Sequence, residues 1–126
     1  MSWQTYVDSN LLGTGKIAKA AILGQQGGVW AQSAGYELSP EEQAAIVAAF
    51  SDPTNAQGNG VRAQGVKFMT IKADDRSVYG KKLADGIICV KTTQAVLVAE
   101  YVTPTTPGEA TKIVEELGDY LLSVGF

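Results

Sequence analysis

The sequence predicts an α+β fold: a central antiparallel sheet with the N- and C-terminal helices packed on one face and a further helix on the other. Three observations predict it. Between Val61 and Tyr101, five β-type runs follow one another with only a few residues between them, which suits an antiparallel meander and leaves no room for parallel crossovers. Two helix starts, at Ser39 and at Thr106, each place proline next and glutamate third after the cap. Finally, residues 2–11 read as a short helix that carries Trp3 and Tyr6 three residues apart, on one helical face.

The elements follow in order. The first helix ends at Gly13-Thr14-Gly15, and Lys16 to Leu23 is apolar enough for a strand. Gln25-Gln26-Gly27-Gly28 makes a turn into a second strand, Val29 to Ala34, which carries Trp30 and completes a hairpin. Ser39 caps a helix over 40–50, whose apolar stripe is Ala45, Ile46, Ala49 and Phe50, and Asp52-Pro53 stops it. Residues 54–60 read as a loop. Strands are then expected at Val61–Gln64, Val66–Ala73, Ser77–Lys82, Gly86–Lys91 and Ala95–Tyr101. Ile87–Val90 and Ala95–Ala99 are continuously apolar, so both faces of those two strands should be covered. The last helix starts after Thr106 and runs to about Ser123 on the stripe Ala110, Ile113, Val114, Leu117, Leu121 and Val124.

A chain of 126 residues suits one domain, 1–126, with a core that needs no staples. One cysteine, Cys89, sits in an apolar run; it reads as buried and inert, since the chain has no histidine to activate it. The absence of histidine also removes Ser-His and Cys-His relays and imidazole metal ligands, so neither an enzyme nor a metal or cofactor is expected. Gly13-Thr14-Gly15-Lys16 lacks the eight-residue phosphate-loop pattern and precedes a strand. Asp74-Asp75 reads as a polar turn beside Arg76 rather than a magnesium site. No stretch approaches the roughly 20 apolar residues of a membrane span, and the N-terminus lacks a signal-peptide layout, so a cytoplasmic protein is expected.

Net charge is −3, which argues against general nucleic-acid binding, yet the charge is uneven. Seven of the ten basic residues (Arg62, Lys67, Lys72, Arg76, Lys81, Lys82, Lys91) fall between positions 62 and 91, against three acids there. The molecule therefore has a basic part on an acidic whole. A second constellation is aromatic. Trp3, Tyr6, Trp30, Tyr120 and Phe126 come from the two termini and the first hairpin, and adjacent terminal helices would gather them into one shallow surface. Such a surface, with indole and phenol donors, suits a proline-rich segment, which arrives pre-ordered and offers carbonyl acceptors. The competing reading places these rings in the core.

Ser2-Trp3-Gln4-Thr5-Tyr6-Val7-Asp8 closely resembles the N-terminal signature of profilins. Leu12-Gly13-Thr14-Gly15-Lys16-Ile17, Gly65-Val66-Lys67-Phe68-Met69, Ala73-Asp74-Asp75-Arg76-Ser77-Val78-Tyr79-Gly80-Lys81 and Pro107-Gly108-Glu109-Ala110-Thr111-Lys112-Ile113-Val114-Glu115 are also profilin-like, in the family's order and spacing. The likeness covers the whole chain, and the length fits the short, fungal-type members. It implies the same fold as the unaided reading. It further implies an actin-monomer-binding adaptor that also binds proline-rich segments of actin-assembly factors such as formins. Such an adaptor delivers actin to growing filament ends and promotes actin nucleotide exchange, in the cytoplasm, cytoskeleton and cell cortex. A monomer is expected.

Carried over by position, the proline-rich-peptide site would be Trp3, Tyr6, Trp30, Tyr120 and Phe126. Phe126 departs from the family's usual terminal tyrosine; it keeps ring stacking and loses a hydroxyl, so weaker peptide binding than with tyrosine is expected. The actin face would be Lys67, Lys72, Arg76, Tyr79, Lys81, Gly108, Thr111, Lys112 and Glu116, on the opposite side from the aromatics. A basic face suits an acidic partner. Lys72 stands where arginine is frequent and cannot form the planar bidentate pair. Phosphoinositide head groups would engage Lys72, Arg76 and Lys81, although the acidic pI of 4.8 opposes strong membrane attachment. Three rival readings remain: a proline-rich-peptide adaptor with no actin role, a small-ligand sensor domain, and a small enzyme. The second lacks a polar cluster to line a pocket and the third lacks a catalytic constellation.

Overall fold

The computed structural model describes residues 2–126. Seven strands, β1 (Lys19–Gly24), β2 (Val29–Gln32), β3 (Val61–Ala63), β4 (Val66–Ala73), β5 (Ser77–Lys82), β6 (Asp85–Lys91) and β7 (Ala95–Tyr101), form one sheet in the order β2-β1-β7-β6-β5-β4-β3. Every neighbouring pair is antiparallel, as the close spacing of the runs requires.

Helices cover both faces. The N-terminal helix begins as an α-turn, α1 (Trp3–Thr5), widens into a π-helical stretch over Tyr6–Leu11 and tightens into a 3-10 turn over Leu12–Thr14. Gly15, at φ +76°, closes it in the left-handed conformation that glycine adopts freely. This helix and α4 (Pro107–Ser123) bury Val7, Leu11, Val114 and Leu121 against Ile88, Val90, Leu97 and Ala99. On the other face, α2 (Pro40–Ala49) and α3 (Pro53–Asn59) bury Ile46 and Ala56 against Ile87, Cys89, Val96 and Val98. β6 and β7 therefore feed both cores, which explains their unbroken apolar runs. Gly118 lets α4 settle onto β6: a Cβ there would lie 2.9 Å from the Val90 side chain. Both capping boxes form. Ser39 accepts from Glu42 N and Thr106 accepts from Glu109 N, while each glutamate side chain accepts from the cap's own N–H.

β3 stops one residue before the sequence reading, at Ala63, β6 starts one residue before it, at Asp85, and three departures are larger. The first strand begins at Lys19 and not Lys16, because the chain is still turning: Thr14 Oγ1 accepts from Lys16 N at 3.1 Å. The second strand stops at Gln32, where the Ser33 carbonyl accepts from Tyr36 N and the chain turns away. Residues 54–60 are not a loop, since α3 spans Pro53–Asn59. Asp52-Pro53 does stop α2, but the same pair starts the next helix, with Asp52 accepting from Asn55 N. Tertiary contacts then hold a sequence of weak helix propensity: Ala56 is buried, and its carbonyl accepts from Thr70 Oγ1 at 2.6 Å.

Cys89 is fully buried, and burial, helped by Glu100, pushes its thiol up to about 12. Glu100 is itself half-buried beside the Tyr36 hydroxyl, which has no partner in hydrogen-bonding geometry among the described residues. Burial raises the Glu100 carboxyl above its ordinary range, outweighing the nearby Tyr36 and Lys19. A folded-state value above the unfolded one means that stability is present at low pH and is lost as pH rises through the folded value. Glu100→Gln is accordingly expected to raise the melting temperature at pH 7 and to lose that advantage at pH 3; thermal unfolding across pH measures it.

Candidate functional site

The aromatic cluster is built by pinning the two chain ends onto the β2-β1 side of the sheet. Gln4 Nε2 donates to the Gln32 carbonyl at 2.9 Å and to Asp8 Oδ1 at 3.0 Å, which fastens the N-terminal helix to β2. No hydrogen bond engages the indole N–H groups of Trp3 and Trp30 among the described residues. At the other end, the Phe126 carbonyl accepts from Gln94 N at 2.6 Å and Thr92 Oγ1 at 2.8 Å, and Phe126 N donates to the Leu121 carbonyl. Gly24 supplies the remaining space, because a Cβ there would fall 2.6 Å from Trp30 Nε1.

The structure brings the five aromatics into one surface. The Trp3 ring lies 4.8 Å from Trp30, 5.5 Å from Phe126 and 5.6 Å from Tyr6, centroid to centroid; Tyr6 lies 6.2 Å from Tyr120. Most of these pairs meet edge to face, as ring quadrupoles favour. Trp30, Tyr120 and Phe126 are exposed, Trp3 is half-buried and Tyr6 is buried at the base. Burial, with the Tyr120 phenol beside it, raises the Tyr6 hydroxyl above its ordinary value, so it stays a neutral donor at physiological pH. The surface is thus apolar and supplied with N–H and O–H donors.

The basic residues lie beyond α4, at the β5-β4 end of the sheet. Register pairs Lys72 with Tyr79 and Met69 with Lys81, so these four share the face on which α4 packs. Lys67 lies on the same face, two residues before Met69 and opposite Arg62. Gly108, Thr111 and Lys112 occupy the first turns of α4, and Glu116 follows Lys112 at i+4. Lys67, Lys81 and Lys112 are exposed and have no ion pair among the described residues. Lys72 stands 5.1 Å over the Tyr79 ring and 3.7 Å from Asp74 Oδ2.

Arg76 and Tyr79 belong to this face by position but are tied inward. Arg76 Nη2 meets Glu115 Oε1 at 3.0 Å and Asp119 Oδ1 at 2.8 Å. The Ser77 hydroxyl donates to Glu115 Oε2 at 2.6 Å, and the Tyr79 hydroxyl donates to the same oxygen. Burial and this bond push the Tyr79 phenol up to about 12. Asp74 closes the preceding turn by accepting from Arg76 N and Ser77 N, and those bonds hold its carboxyl below the usual range. Asp74 is therefore a turn residue, and no carboxylate cluster suited to a metal occurs among the described residues.

Sequence reasoning missed three features here. Glu115 was legible only as a polar helix position, because its three partners are distant in the chain. Met69 and Ile71, 72% and 59% exposed, lie between the lysines as bare apolar side chains. A register shift between Thr70 and Lys72 exposes that stretch, and no local signal marks a bulge of this kind. An apolar crevice of about 320 Å³ also opens between α2, α3 and the sheet, over Ile46, Ala49, Ala56 and Cys89, on the face away from both constellations. No helix is long and apolar enough to cross a membrane among the described residues.

Comparison with known proteins agrees with this geometry. The Profilin family model matches residues 1–126. The chain is similar to profilin-2 of Acanthamoeba castellanii, 52% identical over 126 residues and the full length of both. The crystal structure of Schizosaccharomyces pombe profilin superposes with a TM-score of 0.97 at 52% identity, covering 99% of this chain and 100% of that one. Mouse profilin IIa, solved in complex with a double repeat from the FH1 domain of mDia1, shares the fold at a TM-score of 0.81 and 22% identity, with both chains fully covered. A full-length family match, a relative above 50% identity and a near-superposable fold lead to one conclusion: the chain belongs to the profilin family.

Proposed function

We propose that this protein is an adaptor with two separate binding faces, one for monomeric actin and one for proline-rich segments of actin-assembly factors, and that it delivers actin to growing filament ends in the cytoplasm and cell cortex. The carrying observation is the convergence of Trp3, Trp30, Tyr120 and Phe126, with Tyr6 at their base, into a single aromatic surface. A polyproline II segment stacks its rings on such a surface and accepts hydrogen bonds from it. Mouse profilin IIa, a protein of this fold, was solved in complex with a double repeat from the FH1 domain of mDia1. The actin face comprises Lys67, Lys72, Lys81, Lys112 and their neighbours, with Arg76 and Tyr79 set beneath by Glu115. Its lysines steer an acidic partner. Phosphoinositide head groups would compete for Lys72 and Lys81, with Arg76 less available because two carboxylates already hold it. The activity is binding; loosening of actin's nucleotide would follow from contact and not from chemistry on this chain.

The test is charge reversal. Lys81→Glu with Lys112→Glu is expected to weaken actin binding by roughly tenfold or more, chiefly through slower association, and to leave affinity for a poly-proline peptide unchanged. Sedimentation or fluorescence titration with each partner reads this. Equal loss of both, or loss of neither, would refute the two-face reading.

A further inference from the structure

We propose that Leu83 is an apolar anchor for the actin monomer, held out at the β5–β6 hairpin tip in a backbone conformation that leucine adopts only under strain. The inference rests on the actin-binding reading above. Leu83 is 88% exposed, more than any other large apolar residue described. Its φ is +55°, in the left-handed region where a bulky side chain crowds its own backbone. Register pairs Lys82 with Asp85, so Leu83 and Ala84 form a two-residue turn, and of the two only Leu83 has a positive φ. Glycine is the favoured residue at such a position.

Nothing in the fold asks for leucine there. The other non-glycine residue with positive φ is Gln64, at +50°, and its strain is offset: its side chain donates to the Gly35 carbonyl at 2.7 Å. Leu83 has no such compensation, and almost none of its surface is covered. A strained, bare leucine at a tip stands as an observation about binding. The tip is continuous with the basic face. Lys81 lies two residues before it and pairs with exposed Met69, and Ile71 follows on the same strand. Apolar Met69, Ile71 and Leu83 beside Lys67, Lys72 and Lys81 combine exposed apolar side chains with a charged rim, the make-up of a binding surface. The two lysines before Leu83 match the acidic partner to which the rest of the face is assigned, and Asp85 across the turn is the one acid at the tip.

The experiment separates binding from structure by their opposite signs. Leu83→Gly removes the strain and loses no burial, so its melting temperature is expected to rise above wild type. Its actin dissociation constant is expected to rise by roughly fivefold or more, mainly through faster dissociation, with poly-proline affinity unchanged. Leu83→Ala keeps the strain and lacks the anchor; it is expected to lose actin binding similarly without the thermal gain. Leu83→Gly binding actin as tightly as wild type would overturn the proposal. So would unaltered actin binding together with lost affinity for phosphatidylserine vesicles, which would assign the tip to a membrane. If the wild-type chain itself fails to bind actin, the two-face reading and this anchor both fall, a result distinct from failure at Leu83 alone.

Discussion

Trp3→Ala is expected to weaken binding of a poly-proline peptide by roughly 30-fold or more, the loss typical of a central aromatic anchor. Trp3 is the hub of the aromatic surface: its ring meets Tyr6, Trp30 and Phe126, and no other of the five touches three partners. Removing it deletes a stacking face, an indole donor and the wall against which Trp30 and Phe126 rest. The fold should survive, because the buried residues of the N-terminal helix that enter the core are Tyr6, Val7 and Leu11, and Trp3 only packs at their edge. Gln4 and Asp8 keep the helix on β2. Tryptophan fluorescence during peptide titration reads the effect through Trp3 and Trp30 in the wild type and through Trp30 alone in the variant. Actin affinity serves as the control and should not change. A Trp3→Ala protein that unfolds, or one that binds peptide normally, would return these rings to a core role.

The second large effect is on stability. Glu115→Ala is expected to cost about 2–3 kcal/mol, because one carboxylate serves three donors and their removal leaves polar groups poorly served. Ser77 bears most of this loss: it is 2% accessible, and its hydroxyl donates to Glu115 Oε2 at 2.6 Å. Arg76 retains Asp119, and its side chain is 34% exposed, so solvent screening moderates that share of the cost. Glu115→Gln should be milder, since an amide oxygen still accepts from Ser77 and Tyr79. The network also joins α4 to β5, so the variant should weaken actin binding through misplaced Tyr79 and Lys72 while peptide affinity holds. Thermal unfolding paired with both titrations tests this. An unaltered melting temperature would mean that the network is ornamental to the fold.

The aromatic surface was readable early because it depends on a single inference about packing. Once both terminal helices share a face, residues 3, 6, 120 and 126 have nowhere else to meet. The basic face was only half readable. Clustering of lysines between 62 and 91 marks a charged region, yet sequence alone does not separate lysines that remain free, such as Lys81, from an arginine drawn inward, such as Arg76. That distinction needs the partner, and Glu115 lies 39 residues away.

What the sequence by itself determined is local. Ser39-Pro40 and Thr106-Pro107 set helix starts because caps and a fixed proline φ act within four residues. Unbroken apolar runs at Ile87–Val90 and Ala95–Ala99 required both faces of β6 and β7 to be covered, since only such a strand can be apolar throughout. What only the tertiary structure decided depends on contacts across the chain. α3 forms although its residues favour a loop, because Ala56 and its carbonyl find partners on β4. Glu115 becomes a hub because β5 and the residue before it bring three donors beneath it. Leu83 stands bare in a left-handed turn because the β5–β6 register allots only two residues to the tip. For α3 and Glu115 the deciding energy comes from residues far apart in sequence, which no local pattern encodes, whereas at Leu83 it is the strand register across the turn that decides.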